Sequence, residues 1–178
     1  MKRILFIVFI LFVFVDFAKS QTTTATQTIT LTIVNSIGIT FSGSGTSTGS
    51  NISLPFSTVS DYSSGVYSSA QALVVQSNKN FNVSIQSNTS NFSYTGSTTP
   101  SPTISIASSL NFLITSNATG GSLSYTSYTS IPSGTSTIIN SGTAGASQTF
   151  SVTYYANPGF SLPAGTYMAN IIYTATQL

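Results

Sequence analysis

Charged side chains are almost absent from this chain beyond its first twenty residues, where only Asp61 and Lys79 remain. The sequence also contains no histidine and no cysteine. Acid–base and nucleophilic catalysis need a base beside the reacting group, and transition-metal sites need His or Cys ligands. One carboxylate and one amine cannot supply these groups. The composition therefore argues against an enzyme, and we expect no catalytic residue, metal site or cofactor.

Asp61 and Lys79 can still form an ion pair, because both flank the same predicted β-hairpin. The simpler interpretation is that each serves a turn. Asp61 opens the turn sequence Asp61–Gly65, where a carboxylate can accept hydrogen bonds from backbone amides. Lys79 lies in the turn sequence Asn78–Asn80, where we expect it to be solvated. Replacing both residues should therefore leave the function largely intact.

Nine tyrosines are the remaining side chains that could bind a ligand. Their rings can stack on sugars while their hydroxyls form hydrogen bonds, so a secreted adhesive or glycan-binding module is an alternative function. Tyrosine also suits a strand that has one end in solvent, and the chain has no tryptophan. Tyrosine content alone does not separate these interpretations.

The N-terminus has the layout of a cleaved signal peptide. Lys2 and Arg3 precede an apolar run from Ile4 to Val15, and Asp16 ends that run before it reaches the ~18 residues that a membrane span needs. We expect cleavage after residue 20, export of a single domain over 21–178, and no membrane span in the mature chain. One cation and one anion then remain, so nothing predicts nucleic-acid binding.

The hydrophobic pattern has a period of two almost throughout the mature chain, which is typical of β-strands. The clearest examples are 27–33, 37–41, 70–76, 81–85 and 150–154. We interpret 70–76 and 81–85 as a hairpin, Tyr167 to Ala175 as one long last strand, and no segment as a useful helix. Many short strands separated by Gly, Pro and Asn turns predict an all-β antiparallel sandwich or barrel, and the uneven strand lengths favour the sandwich.

Two patches resemble a family of exported β-proteins. The run Leu162–Tyr173 places Gly-x-Tyr before an alternating last strand, and Phe56–Asn80 places Asp61-Tyr62 and Gly65 before a strand. The first is similar to the end of chaperone–usher-type pilin and spore-coat-U-like subunits, and the second resembles small exported β-proteins of Gram-negative bacteria, several of which are pilin-like. The resemblance implies an immunoglobulin-like sandwich completed by a strand from a neighbour. It also implies partners that are further copies or related surface subunits, and an export chaperone.

Residues 24–34, named here the N-terminal segment, have the alternation that such an added strand needs. Ile29, Leu31 and Ile33 would occupy one face and Thr the other. The segment can equally be the first strand of its own sandwich, paired in cis, and the sequence leaves cis and trans pairing open. Edge strands are usually protected by Lys or Pro, and these strands have no charge. We therefore expect a non-catalytic subunit of a cell-surface fibre or coat that assembles through β-strand contacts.

Overall fold

The computed structural model describes residues 21–178, so the predicted signal peptide lies outside the described residues. Residues 21–33 contain no helix or strand, and a compact unit occupies Val34–Leu178. That unit is an all-β antiparallel sandwich, as predicted. Its strands are β1 Ile37–Phe41, β2 Val66–Tyr67, β3 Gln71–Ser77, β4 Phe81–Ser87, β5 Ser93–Thr95, β6 Leu110–Asn117, β7 Ser122–Leu123, β8 Thr129–Ser130, β9 Ser136–Gly142, β10 Gly145–Ala156, β11 Thr166–Met168 and β12 Ile171–Gln177.

Two sheets face each other across the core. The first has the order β1-β3-β10-β6-β8, with β2 also paired to β10, and the second has the order β12-β4-β9-β7. Strands β5 and β11 form a separate two-stranded sheet. Every pairing is antiparallel. The strands at one side of the sandwich, β1 and β12, are long, whereas β7 and β8 at the other side have two residues each.

The core consists of the inward-facing residues of both sheets. On β10 the alternating residues Phe150, Val152 and Tyr154 are at most 5% exposed, as the period of two predicts. In the second sheet, the alternating residues Phe81, Val83 and Ile85 of β4 are buried against the same core. The largest completely buried side chains are Phe81, Phe112, Phe150, Leu73 and several isoleucines. The core therefore closes without any disulfide.

The predicted hairpin of β3 and β4 is wrong. Both strands exist, but β3 lies in the first sheet and β4 in the second, so the chain crosses the core at Asn78–Asn80. A hairpin and a crossing connection bury the same alternating residues, so periodicity does not distinguish them. A hydrogen bond stabilises this connection: the Ser77 hydroxyl donates to the Lys79 carbonyl at 2.7 Å.

Three further predictions need correction. The predicted last strand is interrupted: β11 pairs with β5 and β12 pairs with β4, and the change of partner occurs at Ala169–Asn170. The sequence around Asp61 forms a helix, α1 (Val59–Ser64), rather than a simple turn, and residues Ile106–Ser109 form α2. The predicted strand over 27–33 is absent, although the alternation is present, because a strand forms only where a neighbour supplies ladder hydrogen bonds.

Candidate assembly surface

The long side of the sandwich, formed by β1 and β12, has the features of an open sheet edge. Each strand is the last in its sheet and has one paired neighbour among the described residues, β3 for β1 and β4 for β12. Neither strand contains a charged residue or a proline. These are the residues that normally keep an edge from pairing with another chain. The β1/β12 edge therefore lacks charge and proline protection, and only its Phe41 end is covered, where the Phe41 N–H donates to the Thr46 carbonyl at 2.8 Å and the Phe41 carbonyl accepts from the Gly45 N–H at 3.0 Å.

The apolar face of this edge is only partly covered. Along β12, Ile171, Tyr173 and Ala175 are half-buried, whereas the equivalent inward residues of the neighbouring β4 are completely buried. Ile37, Ile39 and Phe41 of β1 are half-buried in the same way. The two strands approach each other across the sandwich, and the Phe41 and Tyr173 rings meet edge to face with centroids 6.3 Å apart. An additional strand here would complete the burial of both sets.

A surface pocket of about 160 Å³ lies between the two strands. Its lining includes Leu73, which is 1% exposed, together with the polar residues Thr40 and Ser47. A group the size of benzene needs a volume near 150 Å³, so the pocket is large enough for one Ile or Leu side chain. The lining residues are Ile39, Thr40, Phe41, Ser47, Leu73, Ile171, Ile172 and Tyr173.

The residues predicted to mediate strand exchange are exposed. Ile29, Leu31 and Ile33 have 84%, 81% and 76% of their surface accessible, and none belongs to a strand. Large apolar side chains at this level of exposure, three in alternation, are unusual on a soluble protein and commonly mark an interaction site. The role of these three residues in strand exchange stays a prediction. The sequence did not point to the β1/β12 edge, because the alternation of a strand does not say which neighbours it will have.

The entry into β1 is held by a hydrogen-bonded cluster. The Asn78 side chain accepts from the Ser36 N–H at 2.9 Å and donates to the Val34 carbonyl at 2.8 Å. The Gln177 side chain donates to the Ser36 carbonyl at 2.9 Å and to Asn78 Oδ1 at 3.0 Å. The start of β1, the β3–β4 connection and the end of β12 are thus joined at one end of the sandwich.

Asp61 has the capping role that was predicted for it. Its carboxylate accepts hydrogen bonds from the backbone N–H groups of Ser57 at 2.8 Å and Thr58 at 2.7 Å, forming a capping box on α1. The Thr58 and Ser57 amides favour the charged carboxylate and so lower the pKa of Asp61. Within residues 21–178, no group of three or more His, Cys, Asp or Glu residues could hold a metal ion.

The tyrosines divide into separate groups. Tyr154 and Tyr173 join the two sheets through a 2.6 Å hydrogen bond between their hydroxyls. Tyr67, Tyr128 and Tyr155 form a surface cluster with ring centroids 4.5–5.7 Å apart, and Tyr67 is 59% exposed. The hydroxyls of Tyr128 and Tyr155 bond to Thr153 and to the Ser64 carbonyl, so these two rings are held in place.

No known family model matches the chain. No curated protein matches it either. None of the helices in the described part of the chain is long and apolar enough to cross a membrane.

Proposed function

We propose that this protein is a non-catalytic structural subunit of an exported fibre or coat, and that it assembles with copies of itself. The N-terminal segment of one copy would add a strand to the β1/β12 edge of the next. Its partners would be further copies or related surface subunits, with a chaperone during export. The observation that carries the proposal is the combination in one chain of an exposed, alternating apolar segment and an incompletely covered sandwich edge.

The N-terminal segment and the β1/β12 edge are chemically complementary. An extended segment that joins a sheet edge gains ladder hydrogen bonds through its backbone and specificity through alternate side chains. The segment and both strands are uncharged, so no charge loses its hydration on pairing. Burial of Ile29, Leu31 and Ile33 would contribute roughly 1.5–3 kcal/mol each. Association costs at least ~4 kcal/mol, so the net affinity depends on how completely the pocket and ladder are filled.

The test replaces the apolar face of the segment while preserving its β propensity. We expect residues 21–178 to form polymers in sedimentation velocity and electron microscopy. The variant I29T/L31T/I33T should remain monomeric with an unchanged far-UV circular dichroism spectrum, because only exposed residues change. The matched control T28S/T30S/T32S alters the opposite face and should still polymerise. A wild-type protein that stays a monodisperse monomer at every concentration would refute the proposal.

A second candidate function rests on the Tyr67/Tyr128/Tyr155 cluster. Rings that are already oriented by the protein lose little entropy on binding, and an uncharged aromatic surface suits a neutral glycan. A glycan array probed with the wild type and with Tyr67→Ala tests this role. Binding that Tyr67→Ala abolishes would favour an adhesive module, and silence across the array would count against it.

A further inference from the structure

The residues that join the N-terminal segment to β1 are held as a continuation of the strand. In the β1–β3 ladder, Ile37 lies opposite Ser77, so Ser36 would lie opposite Asn78. The Asn78 backbone N–H donates to the Ser36 carbonyl at 3.2 Å, which extends the ladder by one residue. The backbone immediately before β1 is therefore extended and contains no turn.

The Asn78 side chain extends this arrangement by one more step. The Val34 carbonyl and the Ser36 N–H lie on the same side of an extended backbone, as in a β-ladder. The Asn78 amide donates to the first at 2.8 Å and accepts from the second at 2.9 Å, as a peptide group of a neighbouring strand would. Gln177 adds a second donor to the Ser36 carbonyl. Residues Val34–Ser36 thus have their inward-facing backbone groups satisfied.

Pairing in cis would require these bonds to break. Strand β1 begins beside Gln177, at the end of β12, and finishes at Phe41, which lines the pocket with Ile171 at the start of β12. A chain preceding β1 can reach either free edge of its own sandwich only by reversing direction before Ile37. For Ile33 to lie in the returning strand together with Ile29 and Leu31, the hairpin loop of two to five residues must be formed by Val34–Ser36.

We propose that Asn78 and Gln177 act as a clamp that prevents the N-terminal segment from completing its own sandwich, and so directs it to a second copy. This inference rests on the proposed function, because it specifies how intermolecular pairing is favoured over intramolecular pairing. Asn78 and Gln177 are positioning residues, since they act on the backbone of Val34–Ser36 and not on the incoming segment. The clamp involves uncharged groups only.

The expected size of the effect follows from the number of bonds. Asn78 and Gln177 contribute three side-chain hydrogen bonds to Val34 and Ser36. Each net hydrogen bond changes an equilibrium by several-fold. Removing all three should raise the ratio of cis-closed monomer to polymer by roughly ten- to a hundredfold. Loss of the clamp should increase the population of folded monomer. Loss of a purely structural contact would increase the population of unfolded protein instead.

The experiment uses engineered cysteines, because the chain has none of its own. Leu31→Cys places a thiol on the segment and Ile172→Cys places one beside the pocket. On oxidation, the otherwise wild-type protein should give a ladder of crosslinked oligomers on a non-reducing gel. Adding N78A/Q177A should convert the ladder to an internally crosslinked monomer. Asn80→Ala is the control, because Asn80 lies in the same connection but bonds to Ala144 and Leu178.

The outcomes separate the two proposals. An absent ladder in the otherwise wild-type protein would refute intermolecular strand addition itself. Equal ladders with and without N78A/Q177A would overturn the clamp and leave strand addition intact. If the double variant does not fold by circular dichroism, Gln177→Ala alone removes one of the three bonds. It should then raise the monomer fraction several-fold, and an unchanged fraction would likewise overturn the clamp.

Discussion

The hydrogen-bonded pair Tyr154–Tyr173 should make the sandwich unstable at alkaline pH. Tyr154 is 5% exposed, and burial raises its pKa to about 12. Tyr173 as a whole is half-buried, but burial of its hydroxyl, together with the nearby Tyr154 hydroxyl, also raises its pKa well above 10. The folded state therefore holds these protons at pH values where the unfolded chain has released them. The associated stability is fully present below pH ~10 and is lost as the pH rises toward 12.

The magnitude for Tyr154 follows from the shift of its pKa. About two pKa units correspond to roughly 3 kcal/mol, which is a large part of the 5–15 kcal/mol that stabilises a typical domain. Urea unfolding followed by far-UV circular dichroism at several pH values between 8 and 12 measures the loss. The variant Y154F/Y173F should lose less stability over this range. Tyr67→Phe, which changes a tyrosine that is 59% exposed, is the matched control.

The same pair predicts strong coupling between two substitutions. At pH 7, Tyr154→Phe or Tyr173→Phe alone leaves the other hydroxyl buried without its partner and should cost about 1–3 kcal/mol. The double variant replaces both partners with apolar rings and should cost less than the sum. Additive single and double costs, together with an alkaline transition that Y154F/Y173F does not change, would refute this reasoning.

Three other predictions concern the stability of the sandwich. Gly65 has φ +78° and ψ 172°, and a Cβ there would clash with the Tyr155 ring, so Gly65→Ala should cost about 1–3 kcal/mol. Gly134→Ala, with no atom within 4 Å, should be near neutral in the same urea titration. Phe81→Ala should lower the free energy of unfolding by about 3–5 kcal/mol, whereas Phe160→Ala, at a residue that is 66% exposed, should change it little. A carbon-detected NMR titration should place the pKa of Asp61 below that of an ordinary aspartate, because the Thr58 and Ser57 backbone amides donate to its carboxylate. Thr58→Ala should raise this pKa slightly, because it removes the Thr58 hydroxyl and keeps the backbone amides. Stability from this cap is present above the ordinary pKa and is lost as the pH falls through the lowered one.

Local pattern was sufficient for most strands and for the core. The alternation of Phe150, Val152 and Tyr154 predicted the buried face of β10, and the same period predicted β3 and β4. Asp61 was expected to cap backbone amides and does so, although within a helix. These features depend on neighbours a few residues apart, so the sequence around them contains the necessary information.

Pairing between distant residues could not be predicted in this way. The positions of β3 and β4 in opposite sheets, and the break between β11 and β12, depend on which partner each strand finds, and the alternation is identical for every partner. The same holds for the candidate site. The role of Ile29, Leu31 and Ile33 was predicted from their spacing and stays a prediction, whereas the β1/β12 edge, its pocket and the hydrogen bonds of Asn78 and Gln177 combine residues up to 141 positions apart.

Composition by itself restricts the chemistry that we expect of this protein, because chemistry needs particular groups wherever they lie in space. With Asp61 and Lys79 as the only charges after residue 20, catalysis and metal binding were argued against before any fold was known. The location of an unprotected edge was decided only by the tertiary structure, since an edge is defined by the absence of a neighbour. That absence becomes visible only once every other strand has found its partner.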